Sequence, residues 1–413
     1  MHGLRGGLLA RYGNMLKARG MISLPPSLAR KAYSIAATRE LASRALPRAV
    51  FDFSDGGAED ERTLRRNEAA FGDYDFVPEP LRGASQRDLS VELFGRRLSM
   101  PLMIGPTGLA GLFWPGGEIA AMRAATSAGT AYCLSHGSVC SLEQLAAASN
   151  AANRWMQVFI YHDRGFTREL AERAAASNYD ALVLTIDNQL LGNRERDIRN
   201  GFVIPPRLGV SEVAAMAYKW QWLWRMKADL PRLTMGNYVK PGDSAGIREI
   251  AGQLAARLDS GMSWKDVDAL RAIWRGPLIL KGVLSPVEAR EAVARGIDGV
   301  IVSNHGGRQL DGAIASLDAL PGIVAAVEGR IPVLMDGGIR RGADVVKAIA
   351  LGATACLMAR PQLWGLAMGG EAGVAHVLDI FRREIDRTMG LLGVTTVAAL
   401  NSSFLSRRTA HDR

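Results

Sequence analysis

The stretch that decides the fold is Gly299-Val-Ile-Val-Ser-Asn-His-Gly-Gly-Arg-Gln-Leu-Asp311, an apolar run that passes directly into polar and glycine residues. Most of the apolar runs in the sequence are rich in Val, Ile, Leu, Met and Ala and do not alternate regularly between apolar and polar residues. This pattern is typical of parallel strands buried on both faces. Amphipathic stretches between them predict helices, for example at 118–128, 166–177, 286–295 and 342–351. The predicted strands are 100–108, 130–136, 154–161, 181–187, 277–283, 299–306, 331–339 and 355–361.

Eight strands, each followed by a helix, predict an α/β fold of the (β/α)8 TIM barrel type. The competing arrangement is an open doubly wound sheet. We favour the barrel because polar residues follow nearly every strand. In a barrel those strand ends converge on one face, whereas in an open sheet they spread along an edge.

Two segments fall outside the repeat, one that runs to about residue 99 and one at 189–274. Within the first, residues 1–37 are a basic leader, expected to be disordered, with a transit peptide or a membrane-surface arm as the alternatives. A helical extension with a helix at 39–46 follows the leader. The barrel domain is assigned to 38–400, with a long insert at 189–274 between strands four and five, and 401–413 form a tail. A connection of that length is unusual in a compact domain and indicates a functional or mobile segment.

The centre of the insert combines tryptophan with basic residues. Trp220, Trp222 and Trp224 lie among apolar residues, and 205–240 carries six basic residues against two acidic ones. This composition suits a segment that contacts a membrane interface. An aromatic lid or a subunit contact is the equally open alternative.

Composition and charge narrow the function classes. The 413 residues carry a net charge of +9, and 48% are hydrophobic, which is globular and leaves no run long enough to span a bilayer. Three cysteines give neither a disulfide framework nor a metal motif, so no metal site is predicted. The basic excess is concentrated in the leader and the insert without a recognition module, which disfavours nucleic-acid binding.

An anion site is predicted after strands seven and eight. Gly337 and Gly338 follow Asp336 and precede a helix, so that backbone N–H groups can approach a phosphate. Arg340, and Arg360 after Ala359, add cationic donors. Barrels commonly hold phosphate between these two loops.

Strand six supplies the candidate chemistry. His305 is a candidate general base and Arg308 a candidate carboxylate ligand. Asp187, at the end of strand four, could stabilise a protonated His305. Arg194 is a second carboxylate ligand or part of a solvated charge run. The remaining strand ends carry the hydrogen-bonding or glycine residues Pro106, Thr107, Gly108, Ser135, Gln157, Thr185, Lys281 and Ser303. These residues suit a phosphorylated heteroaromatic cofactor, and the residues alone leave FMN and pyridoxal phosphate both open.

Three motifs resemble the FMN-dependent L-2-hydroxy acid oxidising enzymes, a family that includes glycolate oxidase, L-lactate dehydrogenase and (S)-mandelate dehydrogenase. The motifs are 303–311, the loop 336–340 and Leu46-Pro-Arg-Ala-Val-Phe-Asp-Phe-Ser-Asp-Gly-Gly-Ala-Glu-Asp60. Residues 99–108 and the basic insert look closest to the bacterial (S)-mandelate dehydrogenase, a peripheral membrane protein. The resemblance implies that the strand-end residues hold the flavin and its ribityl chain, that 336–340 and 359–360 hold its phosphate end, and that Lys281 lies near flavin N1. It implies that His305, with Asp187 beside it, takes a proton while Arg308 and Arg194 bind the substrate carboxylate.

The sequence departs from the family at the substrate pocket. Two family tyrosines are replaced by Phe53 and Phe159, His136 stands where a small polar residue is expected, and Gly137 replaces a bulkier residue. These changes predict a substrate with a larger apolar or aromatic side chain, oxidised to its 2-oxo acid. The electron acceptor is expected to be a quinone or another carrier. The alternative functions are an oxygen-using 2-hydroxy acid oxidase and an FMN enzyme that acts on a non-standard substrate. The expected location is cytoplasmic, on the inner membrane face, as a homotetramer.

Overall fold

Eight parallel strands form a closed barrel, as predicted, and each strand pairs with its neighbours in chain order. The computed structural model describes residues 23–201, 218–239 and 257–408. The barrel strands are β1 Leu102–Ile104, β2 Ala131–Leu134, β3 Asn153–Val158, β4 Ala181–Thr185, β5 Leu278–Val283, β6 Gly299–Val302, β7 Val333–Met335 and β8 Ala355–Met358.

Nearly every residue of these strands is buried, which explains their continuous apolar composition. Helices surround the barrel, and further helices precede its first strand and follow its last one. In chain order they are α1 Pro26–Lys31, α2 Ile35–Ala45, α3 Arg48–Asp55, α4 Arg62–Ala69, α5 Gly117–Ser127, α6 Leu142–Ala147, α7 Arg164–Ala176, α8 Glu195–Arg199, α9 Trp220–Met226, α10 Trp264–Ile273, α11 Pro286–Ala294, α12 Ser316–Val327, α13 Gly342–Ala350 and α14 Arg360–Leu392.

The expectation of a disordered leader over 1–37 is wrong for its last part. Helix α1 and the start of α2 lie within it, and Ala32 and Ile35 are fully buried. His376 of α14 donates from Nε2 to the Ala32 carbonyl over 2.8 Å. The apolar side chains of this segment pack it against α14. Residues 1–22 of the predicted leader lie outside the described residues.

A short antiparallel strand pair joins the end of the described chain to a segment that precedes the barrel. Residues Leu405–Arg407, which the sequence assigned to the tail, pair antiparallel with Tyr74–Phe76. A second short antiparallel pair, Val91–Leu93 with Arg96–Leu98, carries interior-facing leucines that join the barrel's inner core.

The three insert tryptophans do not share one environment. Trp222 is 2% exposed and donates its indole N–H to the Leu112 carbonyl over 3.0 Å, whereas Trp220 and Trp224 are 65% and 67% exposed. Among the described ranges, no helix is long and apolar enough to cross a bilayer. The predicted membrane-contact or lid residues at 202–217 and 240–256 lie outside the described residues.

Candidate active site

Side chains along a strand point alternately inward and outward, and this two-residue period places the polar groups of the site. The barrel interior is filled by apolar side chains, and on six strands the next inward position, two residues later, is polar. The same face that packs the core therefore presents hydrogen-bonding groups at the carboxyl end of the barrel. The pairs are Cys133 and Ser135, Trp155 and Gln157, Val183 and Thr185, Ile279 and Lys281, Ile301 and Ser303, and Leu334 and Asp336.

His305 lies just after β6 in a strained backbone conformation. Its φ is +59°, a region that residues other than glycine rarely adopt, and Gly306 and Gly307 follow with positive φ as well. The turn brings His305 Nδ1 to 2.9 Å from Asp187 Oδ1. Gly282, with φ +105°, leaves room for Asp187, because a Cβ there would lie 2.8 Å from the Asp187 side chain. Backbone strain of this kind concentrates at functional sites.

The electrostatics of this pair keep the imidazole neutral and the carboxylate charged. Partial burial lowers the pKa of His305, and Asp187 only partly offsets that effect. Burial opposes ionisation of Asp187, yet its interactions with His305 and Lys281 hold the pKa of the carboxyl below its usual value. At neutral pH His305 can accept a proton, and Asp187 can stabilise the cation that results.

Arg308 is oriented by the N-terminal extension. Its guanidinium donates to the Gly56 carbonyl over 2.9 Å and lies 5.4 Å from the centre of the Phe53 ring. Burial and the nearby Arg194 lower the pKa of Arg308 to about 9, so it remains charged at neutral pH. Arg194 lines the same cavity and donates weakly to the Gln309 side chain over 3.4 Å. Neither cation has a carboxylate within ion-pair distance among the described residues, and two such cations form a receptor for an anion.

Lys281 occupies the centre of the barrel mouth. Its ammonium is almost fully buried, donates to Ser303 Oγ over 2.8 Å and lies 3.1 Å from Asp336 Oδ2. Burial opposes its charge, but Asp336 and Asp187 raise the pKa of Lys281 overall. Lys281 is therefore a fixed positive charge that faces the cavity.

The loops after β7 and β8 form the second cationic end. Gly337 and Gly338 have positive φ, and a Cβ on Gly338 would lie 2.0 Å from the Asn67 carbonyl oxygen, so α4 packs directly on this loop. Arg340 pairs with Glu68 over 2.7 Å. Arg360 donates only to the backbone carbonyls of Ser54, Gly56 and Gly306 among the described residues.

One cavity joins these parts and takes in 20 of the 22 predicted site residues. The two that do not line it, Asp187 and Ser303, contact His305 and Lys281, which do. Predicted lining residues include Phe53, Phe159, Gly137 and His136 around the substrate end, and Pro106, Thr107, Gly108 and Ala359 among the loops.

Several residues of the site escaped sequence reasoning. Asn188, Leu191, Leu109 and Met235 line the cavity without belonging to a motif. Tyr161 and Tyr238 form hydrogen bonds to His136 behind the cavity wall. The position of Tyr161, two residues beyond Phe159, was the only available signal, because alternate residues after a strand share a side.

Comparison with known proteins extends over this whole architecture. The family described as FMN-dependent dehydrogenase matches residues 42–407. The chain is 42% identical to an L-lactate dehydrogenase of Caulobacter sp. (strain K31), over 89% of this chain and 97% of the relative. It is 43% identical to an L-lactate oxidase of Nostoc sp., over 89% and 96%. The chain belongs to the FMN-dependent dehydrogenase family.

A solved structure supports the same assignment. The crystal structure of the monotopic membrane protein (S)-mandelate dehydrogenase superposes with a TM-score of 0.88 at 38% identity, covering 91% of this chain and 99% of that one. The protein is thus an FMN-dependent 2-hydroxy acid dehydrogenase or oxidase. Family membership also decides between the two cofactors that the residues alone left open, in favour of FMN.

The residues present fit FMN. Asp336 Oδ1 is buried and has no hydrogen-bond partner among the described residues, so this cavity-lining acceptor is available to a hydroxyl such as those of a ribityl chain. Arg360 is buried, and no carboxylate in the described part of the chain pairs with it. Its guanidinium pKa is lowered to about 9, chiefly by burial, which a bound phosphate would reverse. Lys281 is a buried cation of the kind that would stabilise negative charge on a bound flavin ring.

Proposed function

We propose that this enzyme oxidises L-2-hydroxy acids with bulky apolar or aromatic side chains, using His305 as the base. The observation that carries the proposal is the His305–Asp187 contact of 2.9 Å beside Arg308, in a cavity that Phe53 and Phe159 also line. Arg308 and Arg194 bind the carboxylate. His305 accepts a proton from the substrate, and Asp187 stabilises the imidazolium. FMN, when bound, would supply the acceptor for the two electrons and for the second hydrogen that the substrate loses.

The preference for a bulky side chain rests on three positions. Phe53 and Phe159 lack the hydroxyl groups of the family's tyrosines, and Gly137 has no side chain. A Cβ on Gly137 would find its nearest neighbour 3.9 Å away, so space is open there. Solved relatives include a mandelate oxidase bound to (S)-4-hydroxymandelic acid, an aromatic 2-hydroxy acid.

Anaerobic flavin bleaching tests this proposal. The purified yellow protein is mixed without oxygen with both enantiomers of lactate, 2-hydroxyoctanoate and mandelate. We expect bleaching by one enantiomer only, fastest with the aromatic acid. Bleaching that is fastest with lactate would contradict the size preference, and no bleaching across the panel would contradict the activity.

The electron acceptor separates the proposed dehydrogenase from an oxidase. We propose a quinone or another carrier as acceptor, and an L-lactate oxidase among the relatives favours oxygen as the second candidate. Reduced enzyme is exposed to air and, in parallel, to a soluble quinone. Rapid peroxide formation in air would replace the dehydrogenase proposal with the oxidase one.

We also propose that the insert contacts the inner face of the membrane. Trp220 and Trp224 are exposed on α9, and the Lys227 ammonium lies 3.4 Å from the centre of the Trp224 ring. Exposed tryptophan beside lysine suits the lipid headgroup region. Replacing both tryptophans by serine should weaken co-sedimentation with anionic vesicles. Leu81→Ser, at a fully exposed apolar residue elsewhere, is the control and should change nothing. The homotetramer remains a prediction from the family resemblance, and sedimentation measurements test it.

A further inference from the structure

A second imidazole lines the cavity, and its surroundings differ from those of His305. His136 follows β2, is 6% exposed, and its ring centre lies 4.0 Å from that of Phe159. Burial, with a smaller effect of His305, lowers the pKa of His136 to about 3. The His136 imidazole is therefore neutral at neutral pH. His136 and His305 line the same cavity.

One nitrogen of His136 is occupied by two phenols. Nδ1 lies 2.5 Å from Tyr238 Oη and 2.9 Å from Tyr161 Oη, and the two hydroxyl oxygens are 2.6 Å apart. Burial raises the pKa of both tyrosines, so both hydroxyl groups remain protonated. Neither hydroxyl has another hydrogen-bond partner within the part of the chain that the structure describes.

The hydrogen-bond donors and acceptors of these three side chains determine which nitrogen of His136 carries the proton. If Tyr161 donates to Tyr238 and Tyr238 donates to Nδ1, both hydroxyl hydrogens are used. If Nδ1 carried the proton instead, one hydroxyl hydrogen would be left without an acceptor among the described residues, and an unmet buried donor costs about 1–3 kcal/mol. The imidazole proton is therefore on Nε2.

The Nε2–H group is left for the cavity. Nε2 has no hydrogen-bond partner among the described residues, and the atom is not fully buried. His136 lines the cavity, and we infer that the accessible side of Nε2 faces it. A neutral imidazole with a lowered pKa can polarise a substrate oxygen as a hydrogen-bond donor.

We propose that His136 donates Nε2–H to a head-group oxygen of the bound 2-hydroxy acid, its carboxylate or C2 oxygen, and that Tyr161 and Tyr238 hold the tautomer that allows this. The inference rests on the proposed function and deepens it. The donor stands beside Phe159 and supplies the hydrogen bond that a phenol at that position would make. His136 binds substrate, whereas the two tyrosines are positioning residues.

The insert contributes to the arrangement as well. Asn237, 1% exposed, donates to the His136 carbonyl over 3.0 Å and accepts from the Leu142 N–H over 2.8 Å. Gly236 donates to the Ser138 carbonyl over 3.0 Å, and a Cβ there would lie 2.4 Å from the Ser141 nitrogen. Tyr238 is thus fixed by its own chain neighbours against the loop that carries His136.

The test combines binding, kinetics and the tautomer itself. His136→Phe removes the donor and keeps an aromatic ring, His136→Gln retains an N–H donor, and Tyr161→Phe with Tyr238→Phe removes the two phenols. Phenylglyoxylate binding is read from flavin absorbance without turnover, and flavin reduction is timed with lactate, 2-hydroxyoctanoate and mandelate. Solid-state 15N NMR of histidine-labelled holoenzyme reads the tautomer among the chain's six histidines, with His136→Gln assigning the signal.

We expect His136→Phe to weaken phenylglyoxylate binding and kcat/KM by roughly 10- to 100-fold, by the same factor for all three acids. His136→Gln should recover most of that loss, and the double tyrosine variant should lose the Nε2–H preference and fall by a smaller factor. Tyr132→Phe, at a buried phenol with no partner among the described residues, is the matched control and should match the wild type.

Three results would overturn the inference: unchanged binding and rates in His136→Phe, a loss confined to one side chain, or a wild-type proton on Nδ1. Failure of the proposed function looks different, because the wild-type flavin would then not be reduced by any of the three acids. Phenylglyoxylate binding and the 15N spectrum still decide the inference in that case.

Discussion

The cavity has two histidines, and their neighbours give them opposite properties. His305 contacts a carboxylate, so a proton taken from substrate is stabilised on it. His136 contacts two phenols and, within the described residues, no carboxylate, so a proton gained there would be buried without a counter-charge. We infer from this comparison that the partner of the ring, rather than the ring itself, suits one histidine to the role of base and the other to the role of neutral donor.

The largest difference between the two sides should come from their histidines. His305→Gln removes the base, and we expect the rate of flavin reduction to fall by about 10²- to 10⁴-fold. FMN should remain bound, since Arg340, Arg360 and Lys281 are untouched. Stopped-flow absorbance measures the rate, and His136→Gln is the control on the other side. An equal loss in the two variants would remove the distinction between base and donor.

Arg308 tests whether the His305 side binds the carboxylate. Arg308→Lys keeps the charge but loses the planar guanidinium that donates to Gly56 and lies against Phe53. We expect kcat/KM to fall roughly 10- to 100-fold, mainly through KM. A weakened affinity for the 2-oxo acid product should accompany this loss. An unchanged KM would move carboxylate binding to Arg194.

Sequence reasoning went furthest where the residues are contiguous. His305 and Arg308 lie in a single strand-end motif and line one cavity together with Ser135, Gln157 and Lys281, which the sequence offered as polar residues at strand ends. Their roles stay predictions. The other side could not be read in this way. Tyr238 is 102 residues from His136 and lies in an insert that has no repeating pattern, so only tertiary folding brings the two together.

The N-terminal extension shows the same limit. Asn67 exchanges hydrogen bonds of 2.8 Å with Asn304, 237 residues away, and holds α4 against the strand-six loop. Nothing in the local sequence around Asn67 distinguishes it from an exposed helical asparagine. Contacts between distant polar side chains carry no period, whereas strands and helices do.

Asp187→Asn should reveal the role of the carboxylate through pH. Asp187 raises the pKa of His305 against the effect of burial, so its neutralisation should lower that pKa further. His305 must be neutral to accept a proton, so the acid limb of kcat/KM should shift to lower pH. The plateau should fall by about tenfold or more, because the imidazolium loses its counter-charge. A limb that moves to higher pH would contradict this account.

The smallest expected effect lies on the His136 side, at Gly137. Gly137→Ala should fold normally, because the new Cβ meets nothing closer than 3.9 Å and the backbone has no positive φ. The methyl group would occupy space that we assign to a bulky substrate side chain. We expect kcat/KM for mandelate to fall roughly three- to tenfold while lactate is unaffected. Gly338→Ala is the contrasting control, since its Cβ would lie 2.0 Å from the Asn67 carbonyl oxygen and should weaken FMN retention whatever the substrate. Equal losses for lactate and mandelate in Gly137→Ala would mean that this wall does not sense the side chain, and the size preference would then have to come from Phe53 and Phe159 alone.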